Sequence, residues 1–123
     1  HGMSRPIGAH FHVAHGLSNA MLLPKVTEFS IKGNQEKYAT CARVMNWAVG
    51  NDNDETACSK LIENLFILNE DLKVPSPRNL GHSADHALLK LMASQALASG
   101  SPQNNPRVPT ENHIIQLYQE VWD

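Results

Sequence analysis

Ala57, Leu61, Leu65, Leu68 and Leu72 follow one another at steps of four, four, three and four. On a helix these steps keep all five side chains on one face; on a strand the step of three would send the last two to the opposite side. The pattern therefore predicts an amphipathic helix of four to five turns, and a helix of that kind needs other helices to cover its stripe.

The same period recurs along the chain. Leu17, Met21 or Leu22, and Val26 share a face between His15 and about Ile31, where Pro24 predicts a kink. Tyr38, Cys41, Val44 or Met45, and Ala48 form a stripe from Gln35 to Val49, ended by Gly50 and an Asn/Asp cluster, and Asp54 is placed to cap the helix that follows. Val74-Pro75-Ser76-Pro77 stops that helix, because neither proline continues one. Ser83 is placed to cap a helix carrying Leu88, Leu89, Met92 and Ala96, closed by Gly100. "GSPQNNPRVPT" is loop by its turn residues, and Thr110 caps a last helix with Ile114, Leu117 or Tyr118, and Val121 or Trp122 facing inward. These signals predict an all-α fold of five to six helices in a single helical domain, 1–123.

Several functions are disfavoured at once. A net charge of −2 with no basic run argues against nucleic-acid binding through phosphate neutralisation. No apolar run approaches the roughly 18 residues of a membrane span, and the first residues lack the basic-then-apolar pattern of a secretory signal. Cys41 and Cys58 are too few for a disulfide framework and point to reduced thiols in a cytoplasmic setting. No GxGxxG or GxxxxGK loop is available to hold a nucleotide.

Of the 7 histidines, His1, His10, His12 and His15 fall in the first fifteen residues. Imidazoles bind one ion only if their free nitrogens converge to roughly 2.0–2.2 Å from it. His10 and His12 would diverge on a helix and face one way only in an extended loop, whereas His1 and His15 suit a helix end and the return of a loop. His15 precedes Gly-Leu-Ser-Asn and is expected at a helix N-terminus. His82 and His86 stand four apart, but no HExxH-type carboxylate accompanies them, and they are expected to face solvent.

"HGMSRPIGA…AHGLSNAMLLP" resembles the signature of the iron-containing (group III) alcohol dehydrogenases, His-x-x-x-His-Pro-Leu-Gly followed by Pro-His-Gly-Leu/Val-x-Asn-Ala-x-Leu-Leu-Pro. "NNPRVPTENHIIQLYQEVW" is similar to that family's closing segment. The resemblance implies a C-terminal helical domain that faces an NAD(P)-binding α/β domain across a cleft holding a divalent metal, Fe2+ or Zn2+. By its motif the two downstream metal ligands are His1 and His15; the family's upstream Asp and His, and its nucleotide domain, have no counterpart in this chain. Two departures stand out: Arg5 replaces a second histidine, and Ala14 replaces a proline. Arg5, His10 and His12 are accordingly candidates for the substrate cleft, and the Gly100–Asn105 loop is a candidate to close over it.

The chain is thus expected to be the C-terminal fragment of a longer oxidoreductase, inactive alone, rather than a short protein with a His1-Gly2 cloning remnant ahead of Met3. Its expected partner is the missing domain, or a second copy through the face that domain would cover. The rival expectation is a free-standing helical binding module without catalysis.

Overall fold

Four helix starts are set by side chains that accept a hydrogen bond from a backbone N–H three residues on. Asn34 accepts from Lys37 at 3.2 Å, Asn53 from Thr56 at 2.8 Å, Asp85 from Leu88 at 2.8 Å and Thr110 from His113 at 3.2 Å. The computed structural model describes all 123 residues, His1–Asp123. Its α-helices are α1 (Ser4–Phe11), α2 (His15–Ser30), α3 (Gln35–Val44), α4 (Asp54–Asp71), α5 (His86–Ala98) and α6 (Glu111–Trp122), joined by turns and short 3-10 segments with no strand. The all-α architecture and the Thr110 cap match the sequence reading. Two caps move: Asn53, not Asp54, caps α4, and Asp85, not Ser83, caps α5. In each case the side chain one or two residues away has the extended backbone that a cap requires.

The helices build two cores. The larger is lined by α1, α2, α5 and α6 and centres on Ile7, Met92, Ile114 and Tyr118, each with no exposed surface. The smaller lies inside the α3–α4 hairpin, around Ala39, Ala42, Ala57 and Leu61. α3 stops at Val44 rather than Val49, and its buried face is Ala39 and Ala42, one residue round from the expected stripe; Cys41, Val44 and Met45 are exposed. Alanines allow the two helix backbones to approach closely; of the expected stripe, Ala48 is buried in this core and Tyr38 packs against it from partial burial. The α4 stripe is buried only as far as Leu65, and Leu68 and Leu72 are exposed, because α3 lies along the earlier turns of α4, with Arg43 at Asp54 and its first residue, Gln35, already at Cys58.

Beyond that point α4 leans on α2, and the contact is chemically specific. Pro24 is buried inside α2 and has no N–H, so the carbonyl of Ala20 one turn earlier loses its helical donor. Asn69 of α4 supplies the replacement, its Nδ2 donating to the Ala20 oxygen at 2.8 Å. Lys25 lies over the Phe66 ring, 5.3 Å from its centroid, beside the same junction.

The far end of α2 is clasped by the loop before α6. Asn105 Nδ2 donates to Ser30 Oγ at 2.8 Å and to the Arg107 carbonyl at 2.7 Å, and the Arg107 guanidinium stacks 4.0 Å above the Phe29 ring. Gly33 makes this possible, since a Cβ there would stand 2.2 Å from the Pro106 oxygen. The 101–106 segment is therefore anchored at its end by Asn105.

Two outcomes test this account. Asn69→Ala should cost about 1–3 kcal/mol by stranding the Ala20 carbonyl. In a urea-unfolding cycle, adding Pro24→Ala should recover much of that loss, because the N–H returns to the helix. In the α3–α4 turn, the Lys60 ammonium at 2.7 Å and the Val49 N–H hold the Asp52 carboxyl below the usual carboxylate range. A carboxyl lowered in the folded state stabilises above its unfolded pKa, and that contribution is lost as pH falls through the lower folded value. The stability gap between wild type and Asp52→Asn should accordingly be full near pH 7 and shrink as pH drops from about 5 toward 2, within the range where carboxylates titrate.

Candidate metal centre

α1 and α2 run into each other through a tight corner. His12 ends α1 in the left-handed conformation, with φ +57°, and its N–H returns to the Gly8 carbonyl at 2.9 Å. The next two residues reverse the chain, so that His15, the first residue of α2, comes back beside His1. His1 Nδ1 lies 3.2 Å from His15 Nε2, and the rings, inclined by 29°, have centroids 5.2 Å apart. Two nitrogens at adjacent positions around one ion, each about 2.0–2.2 Å from it, stand roughly 2.8–3.6 Å from each other. The pair thus fits a shared divalent cation, and an imidazole donor set suits iron or zinc.

The backbone beneath His1 is held from three sides. Ser4 Oγ and the Arg5 N–H donate to the His1 carbonyl at 3.0 and 3.2 Å. Gly2 is buried so tightly that a Cβ would lie 3.0 Å from Ser99 Oγ and 3.1 Å from Pro102 Cδ. The fully buried Tyr118 hydroxyl donates to the Met3 carbonyl at 2.6 Å, and burial pushes that phenol well above its ordinary pKa. On the α2 side, Asn19 Nδ2 lies 3.2 Å from His15 Nε2. Asn19 was not singled out from the sequence; its position one turn after His15 was the signal that could have found it.

No group of three or more His, Cys, Asp or Glu side chains is arranged to hold an ion. The other sequence candidates stand apart from the pair. Arg5 lies one turn after His1 in α1, exposed and without a carboxylate partner. His10 bonds Gln95 of α5 through Nε2 at 2.9 Å. His12 is exposed at the corner, so His10 and His12 do not face one way. His82 precedes α5 and packs against Phe11 with ring centroids 5.1 Å apart, whereas His86 opens the helix, so the two do not share a helical face. His113 accepts the Thr110 N–H at 3.1 Å and completes a capping box.

Beside His1 opens a largely apolar cleft of about 490 Å³, walled by α2 residues such as Leu22, Leu23 and Val26, by Pro102 and by the Asn104–Pro106 turn. Asn19 and His1 stand at it; Arg5, His10 and His12 do not line it. The expected loop does border a cleft next to the histidine pair.

Over 123 residues the chain is 35% identical to lactaldehyde reductase of Escherichia coli (strain K12), covering 99% of this chain and 32% of that protein. It is 30% identical over 123 residues to 1,3-propanediol dehydrogenase of Klebsiella pneumoniae, covering 99% and 31%. In structure it superposes on a crystal structure of 1,3-propanediol oxidoreductase with a TM-score of 0.90 at 30% identity, over 98% of this chain and 31% of that one. The alcohol dehydrogenase from Oenococcus oeni gives 0.87 at 30% identity, over 98% and 31%. The chain spans about a third of the length of these relatives. The model of the Fe-containing alcohol dehydrogenase family, C-terminal, matches residues 1–122, and the chain belongs to that family as its C-terminal helical domain.

Proposed function

We propose that this chain is the metal-holding helical half of an NAD(P)-dependent alcohol or aldehyde oxidoreductase, with His1 and His15 as two of the ligands to a divalent Fe2+ or Zn2+. The observation that carries the reading is the 3.2 Å separation of His1 Nδ1 and His15 Nε2. When bound, such an ion supplies Lewis acidity to an alcohol or carbonyl oxygen.

The chain's own residues supply position. His15 is fixed by the first turn of α2, and His1 by Ser4, Gly2 and the Tyr118–Met3 bond. The apolar wall of the cleft beside His1 suits the carbon skeleton of a small alcohol, in keeping with relatives named for lactaldehyde and 1,3-propanediol. Arg5 places a positive charge one turn from His1. The carboxylate and further imidazole that the family resemblance implies, with the NAD(P) site, are assigned to a segment outside these 123 residues, because no third His, Cys, Asp or Glu joins the pair and the chain has no glycine-rich phosphate loop. The unpaired thiols of Cys41 and Cys58 fit the reducing cytoplasm.

Calorimetric titration of zinc into the chain at neutral pH tests the ligand assignment. Binding should be weak, His15→Ala should remove most of it, and His82→Ala and His86→Ala should leave it unchanged. Equal loss on removing His86 and His15 would refute the assignment. The chain with zinc or iron added should show no alcohol-dependent reduction of NAD or NADP above background.

A further inference from the structure

We infer that the polar cleft between α2 and α6 is a binding site for a phosphate-type oxyanion, held by Arg107, His113 and Lys32. This cleft has a volume of about 350 Å³ and borders the apolar one, sharing Phe29 and Leu117 with it. The rest of its lining is polar, with three cations against two carboxylates in a chain whose net charge is −2. The charges are sorted along it. Glu120 lies 3.8 Å from the Lys25 ammonium and accepts from Gln116 Nε2 at 3.3 Å, and Glu28 stands 4.0 Å from the same ammonium, so both carboxylates are drawn toward Lys25. Lys32 follows about two turns later, and neither it nor Arg107 has a carboxylate within 4.0 Å. That end of the cleft is left positive.

Two of the donors are held in place by the fold. The Arg107 guanidinium lies over the Phe29 ring, its Nη1 donates to the Phe29 carbonyl at 3.4 Å, and its own carbonyl is tied to Asn105 at 2.7 Å. One protein acceptor leaves most of the five guanidinium N–H groups without a partner, in a planar fork that matches two oxygens of one anion. His113 packs against the same Phe29 ring with centroids 5.1 Å apart, and its Nδ1 accepts the Thr110 N–H at 3.1 Å. The neutral imidazole therefore carries its hydrogen on Nε2, as a donor. Both side chains are half-buried and lose little freedom when a ligand arrives. Lys32 adds an exposed ammonium with three further N–H groups. A planar carboxylate has two oxygens, which the Arg107 fork alone would occupy; a tetrahedral phosphate keeps others for His113 and Lys32. The donor set thus favours the tetrahedral anion.

Histidine ring signals in the proton NMR spectrum report on this cleft directly. We would titrate inorganic phosphate into the 123-residue chain at pH 7, with ionic strength held constant by sodium chloride. The His113 signals should shift and saturate, while those of His86, which lies beside Lys90 in a separate cleft, should stay in place. Sulfate should displace phosphate, and acetate at equal ionic strength should not. Arg107→Lys keeps the charge but loses the fork, and should weaken binding by about tenfold, the factor carried by one hydrogen bond to a charged group. Lys32→Gln changes an exposed side chain without an ion-pair partner, and should weaken binding severalfold with an unchanged circular dichroism spectrum and urea midpoint. Glycerol 3-phosphate binding as well as phosphate would identify the ligand as an organic phosphomonoester, and its exclusion would identify it as the free anion; both results uphold the site. Equal shifts at His86 and His113, or phosphate binding unaltered in both Arg107→Lys and Lys32→Gln, would overturn it.

Discussion

The hydrogen bond from Tyr118 to the Met3 carbonyl joins residues 115 positions apart and closes the larger core on itself. Its donor is fully buried, so the phenol has no water to fall back on, and the carbonyl it meets belongs to the turn that carries His1. Around that bond Ile7 of α1, Met92 of α5 and Ile114 of α6 pack without exposed surface, and Trp122 lies edge-on to Tyr118 one turn further along. The first and last helices are therefore held by the same contacts, and the position of His1 depends on α6 although no residue of α6 reaches the histidine pair directly.

Much of this was legible in the residues because it follows from local chemistry. The 3.6-residue period gave the helices, and Thr110 announced its cap. The specific spacing of His1 and His15 within a family motif pointed to the pair now found 3.2 Å apart. Pro24 was legible as a disturbance of α2, but its compensation was not, since Asn69 lies 49 residues away from Ala20 and an asparagine in a helix carries no mark of its target. The same limit hid Asn105, whose partner Ser30 is 75 residues distant. The α3 face was misplaced by one residue because the larger side chains were read as core, whereas Ala39 and Ala42 win by allowing closer approach. His10 and His12 were grouped by sequence proximity, yet the helical geometry of α1 and the left-handed corner at His12 separate them.

The division into two cores also separates tasks. The side chains that meet at the histidine pair come from the α1–α2 corner beside the larger core, and the α3–α4 hairpin contacts α2 further along, at Ala20 and Lys25. The hairpin's contribution is to steady the helix on which His15 and Asn19 ride. The Asn105 clasp steadies the C-terminal end of that helix, so α2 is held at its middle and at its far end while its first turn is left facing outward.

The distance along the chain between the partners of each core has a consequence for the order of events during synthesis. The hairpin needs only residues up to about 71, all of them near neighbours, and can assemble while the remainder is still inside the ribosome. The larger core must wait for α6 before Tyr118 can reach back to the turn at residue 3. Until then the apolar faces of α1, α2 and α5 have no lid. A nascent chain that stalls before Glu111 therefore carries a finished hairpin beside a sticky, unfinished bundle, the kind of surface that chaperones recognise.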